Sequence, residues 1–88
     1  MRLSGRHRKT LAAIFEEPTR ADVTWTSIER LIKALGAEIT EGRGSRMRFH
    51  LSGVRALFHR PHRRKECDRG ALRSVRRLLT SAGVEPKE

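Results

Sequence analysis

Apolar residues recur along the chain with two different periods, and the places where the period changes divide it into elements. Over Lys9 to Glu16, Leu11, Ile14 and Phe15 fall at i, i+3 and i+4, which predicts a short helix closed by Pro18 near Glu17. A second helix is predicted from Ile28, Leu31, Ile32 and Leu35, which form one stripe, with Thr26 and Glu29 at capping-box spacing and Gly36 as the stop. Trp25 stands just ahead of that cap and is expected to anchor the core rather than to offer an exposed platform for a base.

From Ala37 onward the period is two. Ala37 to Thr40 reads as a short strand, followed by the flexible run Glu41 to Ser45. In Arg46 to Leu51 the residues Met47, Phe49 and Leu51 point one way; in Val54 to Arg60 the residues Val54, Ala56 and Phe58 do. Ser52-Gly53 joins them as a two-residue hairpin, which predicts Leu51 opposite Val54, Phe49 opposite Ala56 and Met47 opposite Phe58. The same register puts His50 opposite Arg55, Arg48 opposite Leu57 and Arg46 opposite His59 on the other face. Pro61 stops the strand, and His62 to Cys67 is a polar loop. A last helix runs from an Asp68 cap to about Ala82, with Leu72, Val75, Leu79 and Ala82 along one stripe, Leu78 beside it, and Gly83 as its stop.

The expected fold is therefore α+β: an α-β-β-β-α unit with a three-stranded antiparallel sheet, preceded by a short N-terminal helical extension. The divisions are 1–23 for the extension, 24–84 for the domain and 85–88 for a tail. That order matches double-stranded-RNA-binding domains at the level of fold.

Charge sharpens what the face is for. The 88 residues carry 20 Lys and Arg against 10 Asp and Glu, a formal net charge of +10, so a polyanion is the expected partner. Residues 1–44 hold eight basic and six acidic side chains; residues 45–88 hold twelve and four, so the second half is where that partner should sit. Arg69, Arg73, Arg76 and Arg77 share the last helix, and Arg63, Arg64 and Lys65 lie just before its start, where the free amides also favour anions. Solubility alone accounts for some of these charges, but the clustering points to a phosphate-tracking surface.

Other classes lose ground. No apolar run approaches the ~18 residues of a membrane span, and no h-region follows the basic N-terminus, so a cytoplasmic protein that meets no membrane is expected. A single cysteine, Cys67, provides no disulfide framework and lacks a base arrangement for nucleophilic work; it is expected to be an incidental or partly buried thiol. His59, His62 and Cys67 match no standard zinc spacing, so neither metal nor cofactor is expected.

The run Ile28 to Ala37, Gly44-Ser45 before a strand, and Pro61-His62 followed by Glu66, Gly70, Leu72 and Val75 together resemble the HicA family of toxin-antitoxin systems, over about residues 24–84. Arg6 to Lys9 lie outside the family's usual core. The resemblance implies a small mRNA interferase of dsRBD-like fold, a metal-independent endoribonuclease neutralised by a HicB-type antitoxin. The family's catalytic histidine follows Gly-Ser, and here that position is Arg46. An arginine cannot serve as a base near neutral pH, although it can bind phosphate or steady developing negative charge.

Two imidazoles share the face. A cross-strand neighbour has its Cβ about 5 Å away, whereas four residues along a strand is roughly 13 Å, so His59 is a better substitute than His50. Arg46 and His59, with His50 behind them, are the candidate catalytic residues. Arg48, Arg55, His62, Arg63, Arg64, Lys65, Arg69 and Arg73 are the candidate RNA contacts, His62 reading equally well as a loop hydrogen-bonder. An antitoxin should cover Arg46, His50, Arg55 and His59. The rivals are an RNA-binding module that has lost the cleaving histidine and a structural ribonucleoprotein component.

Overall fold

The computed structural model describes residues 3–61 and 63–86. Its elements are helix α1 (Gly5–Ile14), helix α2 (Trp25–Ala34), strands β1 (Glu38–Glu41), β2 (Arg46–Leu51) and β3 (Val54–His59), and helix α3 (Arg69–Ser81). The strands form one antiparallel sheet in the order β1-β2-β3. This is the α+β, dsRBD-like arrangement with an added N-terminal helix.

The helix boundaries correct the sequence reading. Helix α1 starts four residues before Lys9, because Ser4 caps it by accepting from the His7 amide at 3.2 Å, and it ends at Ile14 rather than near Glu17. Helix α2 is capped by Thr24, whose hydroxyl accepts from Ser27, so the Thr26–Glu29 capping box does not form and Trp25 is the first helical residue. Both threonines suit the role. What selects Thr24 is tertiary: the Trp25 amide donates to the Lys65 carbonyl at 2.9 Å, and Thr24 bridges Glu66. At the other end Gly36 takes φ +97°, which lets the Ala37 amide reach the Ile32 carbonyl and that of Gly36 reach Lys33. Strand β1 is shifted one residue from Ala37–Thr40, and β3 ends at His59 rather than Arg60.

The hairpin register is the one that alternation predicts, from Leu51↔Val54 through Arg46↔His59. Ser52 and Gly53 take φ 49° and 81°, the two positive angles of the turn whose twist suits a two-residue hairpin. Strand β2 alternates strictly, with Met47, Phe49 and Leu51 buried and Arg46, Arg48 and His50 exposed. Trp25 stacks on Phe49 (centroids 5.8 Å, 23°) and tilts against Phe58 (5.8 Å), while Phe49 and Phe58 are 5.0 Å apart. This aromatic cluster joins α2 to the sheet, and Leu72, Val75, Leu78 and Leu79 of α3 complete the layer.

The N-terminal segment belongs to the same core. Leu11 and Ile14 are fully buried together with Ile28, Leu31 and Leu72, and Leu3 and Val23 join them. The helices thus lie on one face of the sheet and leave the other open.

Candidate nucleic-acid interface

Residues of the open face follow from the strand period. Strand β2 projects Arg46, Arg48 and His50, strand β3 projects Arg55, Leu57 and His59, and β1 projects Glu38 and Thr40. In a hairpin closed by a hydrogen-bonded Leu51–Val54 pair, every second pair lacks ladder hydrogen bonds and brings its side chains closer. The Arg60 amide donates to the Ser45 carbonyl at 2.8 Å, which marks the next bonded pair. Arg46 and His59 lie one step inside it, so they form one of the close pairs, with Cβ atoms about 5 Å apart.

His50 has a different neighbour. Its Nδ1 lies 3.7 Å from a carboxylate oxygen of Glu38 across the β1–β2 ladder. Both line a shallow concavity of about 520 Å³ with Thr40, Arg48, Arg55 and Leu57. Leu57 is 53% exposed, the large apolar side chain left in water on this face. Cations, one exposed apolar side chain and two imidazoles therefore share one side of the sheet.

The remaining candidates are elsewhere. Helix α3 packs on the closed face, so Arg69 and Arg73 do not share the open one. Arg69 donates from Nε to the Thr19 carbonyl at 3.0 Å, whereas the Arg73 side chain is exposed. Arg63, Arg64 and Lys65 are exposed in a loop pinned to residues 23–25, through Lys65 O to Trp25 N and a 2.8 Å bond from the Cys67 amide to the Val23 carbonyl. Arg64 and Lys65 thereby reach the start of α2, where they line a cleft of about 470 Å³ with Thr26, Glu29 and Arg60. His62 lies outside the described residues.

Arg60 is a neighbour of the candidate site that sequence reasoning missed. Its guanidinium pairs with Glu29 of α2 and Glu41 of β1, each at 3.2 Å. It follows His59 directly and fixes the end of β3 against two other elements. The one sequence signal was alternation itself, which turns residue 60 away from the open face and toward the helices.

Cys67 is buried, 1% exposed, rather than partly buried. Burial, with a smaller contribution from the Asp68 charge, pushes its thiol up to about 11, so it is not a ready nucleophile. Among the described residues no three His, Cys, Asp or Glu side chains converge in a way that could hold a metal, and no helix is long and apolar enough to cross a membrane.

Against this geometry, the family model described as the HicA toxin of bacterial toxin-antitoxin systems matches residues 25–84. The chain belongs to the HicA toxin family. The HicA match begins at Trp25, the first residue of α2, and closes just past α3, so α1 lies outside it. Searches of curated proteins and of solved structures return no match.

Proposed function

We propose that this HicA-family chain is the toxin of a type II toxin-antitoxin pair that binds mRNA on the open face of its sheet and cuts it without a metal, blocking translation until a HicB-type antitoxin covers that face. The observation that carries the reading is the Arg46–His59 pair: an imidazole on β3 beside a permanent cation on β2, both exposed, with Arg46 at the position where the family resemblance places a histidine.

The chemistry needs two groups. Neutral His59 takes the proton of a ribose 2′-OH as that oxygen attacks the adjacent phosphorus, and Arg46 balances the charge that gathers on the non-bridging oxygens. The bond to the 5′-oxygen then breaks, and that oxygen takes up a proton from water or from an imidazolium, leaving a 2′,3′-cyclic phosphate and a 5′-hydroxyl. Arg48, Arg55 and Leu57 hold the strand on the turn side of that pair, and Arg64 and Lys65 extend the cationic path toward α2.

Purified protein incubated with mRNA in excess chelator tests this. The expected result is cleavage that falls by about 10²-fold or more in His59→Ala and Arg46→Ala. Unchanged cutting by folded His59→Ala protein would sink the assignment. Binding without any cutting by the unaltered protein would instead favour a module that kept the fold and lost the reaction.

A further inference from the structure

The helix layer carries a second cationic concavity. Ser4, Arg6 and His7 at the start of α1 meet Arg30 and Lys33 of α2 around a groove of about 660 Å³. Three arginines elsewhere on this side are paired with carboxylates, Arg20 with Glu16 and Asp22, Arg76 with Glu17, and Arg60 with Glu29 and Glu41, while among the described residues Arg69, Arg73 and Arg77 of α3 are not. Among the described residues no ion pair involves Arg6, Arg30 or Lys33. Three permanent cations and an imidazole from two helices thus surround one hollow without a counter-charge.

We infer that this α1–α2 groove is a second binding site for the phosphodiester backbone of RNA, separate from the sheet face. The residues lining it are all polar or charged, with no Trp, Phe or large aliphatic anchor of the kind that a protein interface buries at its centre or that an amphipathic helix inserts into lipid. Clustered, unpaired cations on a concave polar surface are what a phosphate chain matches, and releasing its counterions drives the contact. That the polyanion is RNA rests on the function proposed above.

The placement sets the kind of RNA. Arg30 and Lys33 are on the layer behind the sheet, and the domain measures 33 × 28 × 20 Å, so one molecule touching both surfaces must be long or folded. A short strand can occupy the sheet face alone. The groove therefore selects structured or extended RNA and leaves cleavage of a short oligonucleotide untouched.

The test compares a long folded RNA with a short single-stranded one, using Arg30→Glu combined with Lys33→Glu. Affinity for the long RNA is expected to fall about tenfold or more, and the slope of log affinity against log salt to become shallower by one to two units. Affinity for the short RNA, and its cleavage, should not change. Equal losses on both RNAs, an unchanged salt slope, or preference for duplex DNA of matched length over the folded RNA would overturn the site. If the double variant loses its native circular dichroism, Arg6→Gln at an exposed position carries the same comparison. A wild-type protein that binds the long RNA through this groove but never cuts it would end the interferase reading and leave the groove standing.

Discussion

Arg76 of α3 reaches back to Ile14, the last residue of α1, and donates from Nε to its carbonyl at 3.1 Å. The same guanidinium donates to the Glu16 carbonyl at 3.1 Å, pairs with Glu17, and lies 6.0 Å from the Phe15 ring centre. A helix terminus leaves its last carbonyls without partners, and one planar fork supplies them here. Arg76→Ala is expected to destabilise the protein by roughly 1–3 kcal/mol, since it removes a charge-assisted donor from the part-buried Ile14 carbonyl. Arg76→Lys should recover only part of that, because a single ammonium cannot span both carbonyls; urea midpoints of the two variants check it.

The same packing makes the segment ahead of the HicA match necessary to the fold. Deleting residues 1–23 would strip Leu11 and Ile14, both fully buried, from contact with α2 and α3. Losing two large apolar side chains together costs on the order of 4–8 kcal/mol, comparable to the whole stability of a domain this small. The truncated chain is expected to lack a cooperative thermal transition. A sharp transition near that of the intact protein would show that the core does not depend on α1.

Arg46 and His59 face each other across β2 and β3, which allows the roles to be exchanged. An imidazole at position 46 would sit about 5 Å across the ladder from where His59 sits now. Combining Arg46→His with His59→Arg, which keeps one base and one cation across the ladder, is expected to restore part of the RNA cleavage that His59→Ala alone removes. Gel assays of the single and double variants, run in chelator, read this directly; no recovery would mean that the base must stand on β3.

Cys67 ties stability to alkaline pH. Its thiol titrates near 11 in the folded protein against 9.0 ordinarily, with burial as the main cause, so the native state holds a proton that the unfolded chain releases first. The contribution is fully present below about pH 9 and is lost as pH rises toward 11, up to about 2 kcal/mol. Urea unfolding from pH 8 to 11 should therefore decline more steeply for the native sequence than for Cys67→Ala. At pH 8 the folded thiol should also resist a disulfide exchange reagent that labels the unfolded chain at once.

The turn can be improved. Ser52 holds φ 49°, a region that costs a side-chain-bearing residue energy, and Asn is the residue that tolerates it best ahead of Gly53. Ser52→Asn is expected to raise the melting temperature by a few degrees, whereas Gly53→Ala, at φ 81°, should lower stability by about 1 kcal/mol. Calorimetry of the two variants tests the sign of each.

The β2–β3 hairpin was legible from the chain because a period of two and a two-residue turn leave one register that buries Met47, Phe49 and Phe58 together. That register carried the Arg46–His59 pairing with it. The family resemblance was legible for the same local reason, since its motifs sit in contiguous runs. Helix starts were less so: Thr24 and Thr26 are chemically equivalent caps, and only the Lys65 carbonyl and Glu66, forty residues away, select between them.

The charged residues show the limit most clearly. Arg69, Arg73 and Arg76 read alike on a helical wheel, yet Arg69 and Arg76 turn toward carbonyls 50 and 62 residues distant while Arg73 stays in water. The Glu38–His50 contact and the two carboxylates around Arg60 likewise join strands and helices that local pattern does not relate. Sequence by itself determined the elements, the hairpin register and the sign of the open face, because these follow from periodicity and covalent neighbours. Only the tertiary structure decided which cations are held by protein partners and which stay in water, because a guanidinium's partner is chosen by what packing brings within about 3 Å of it.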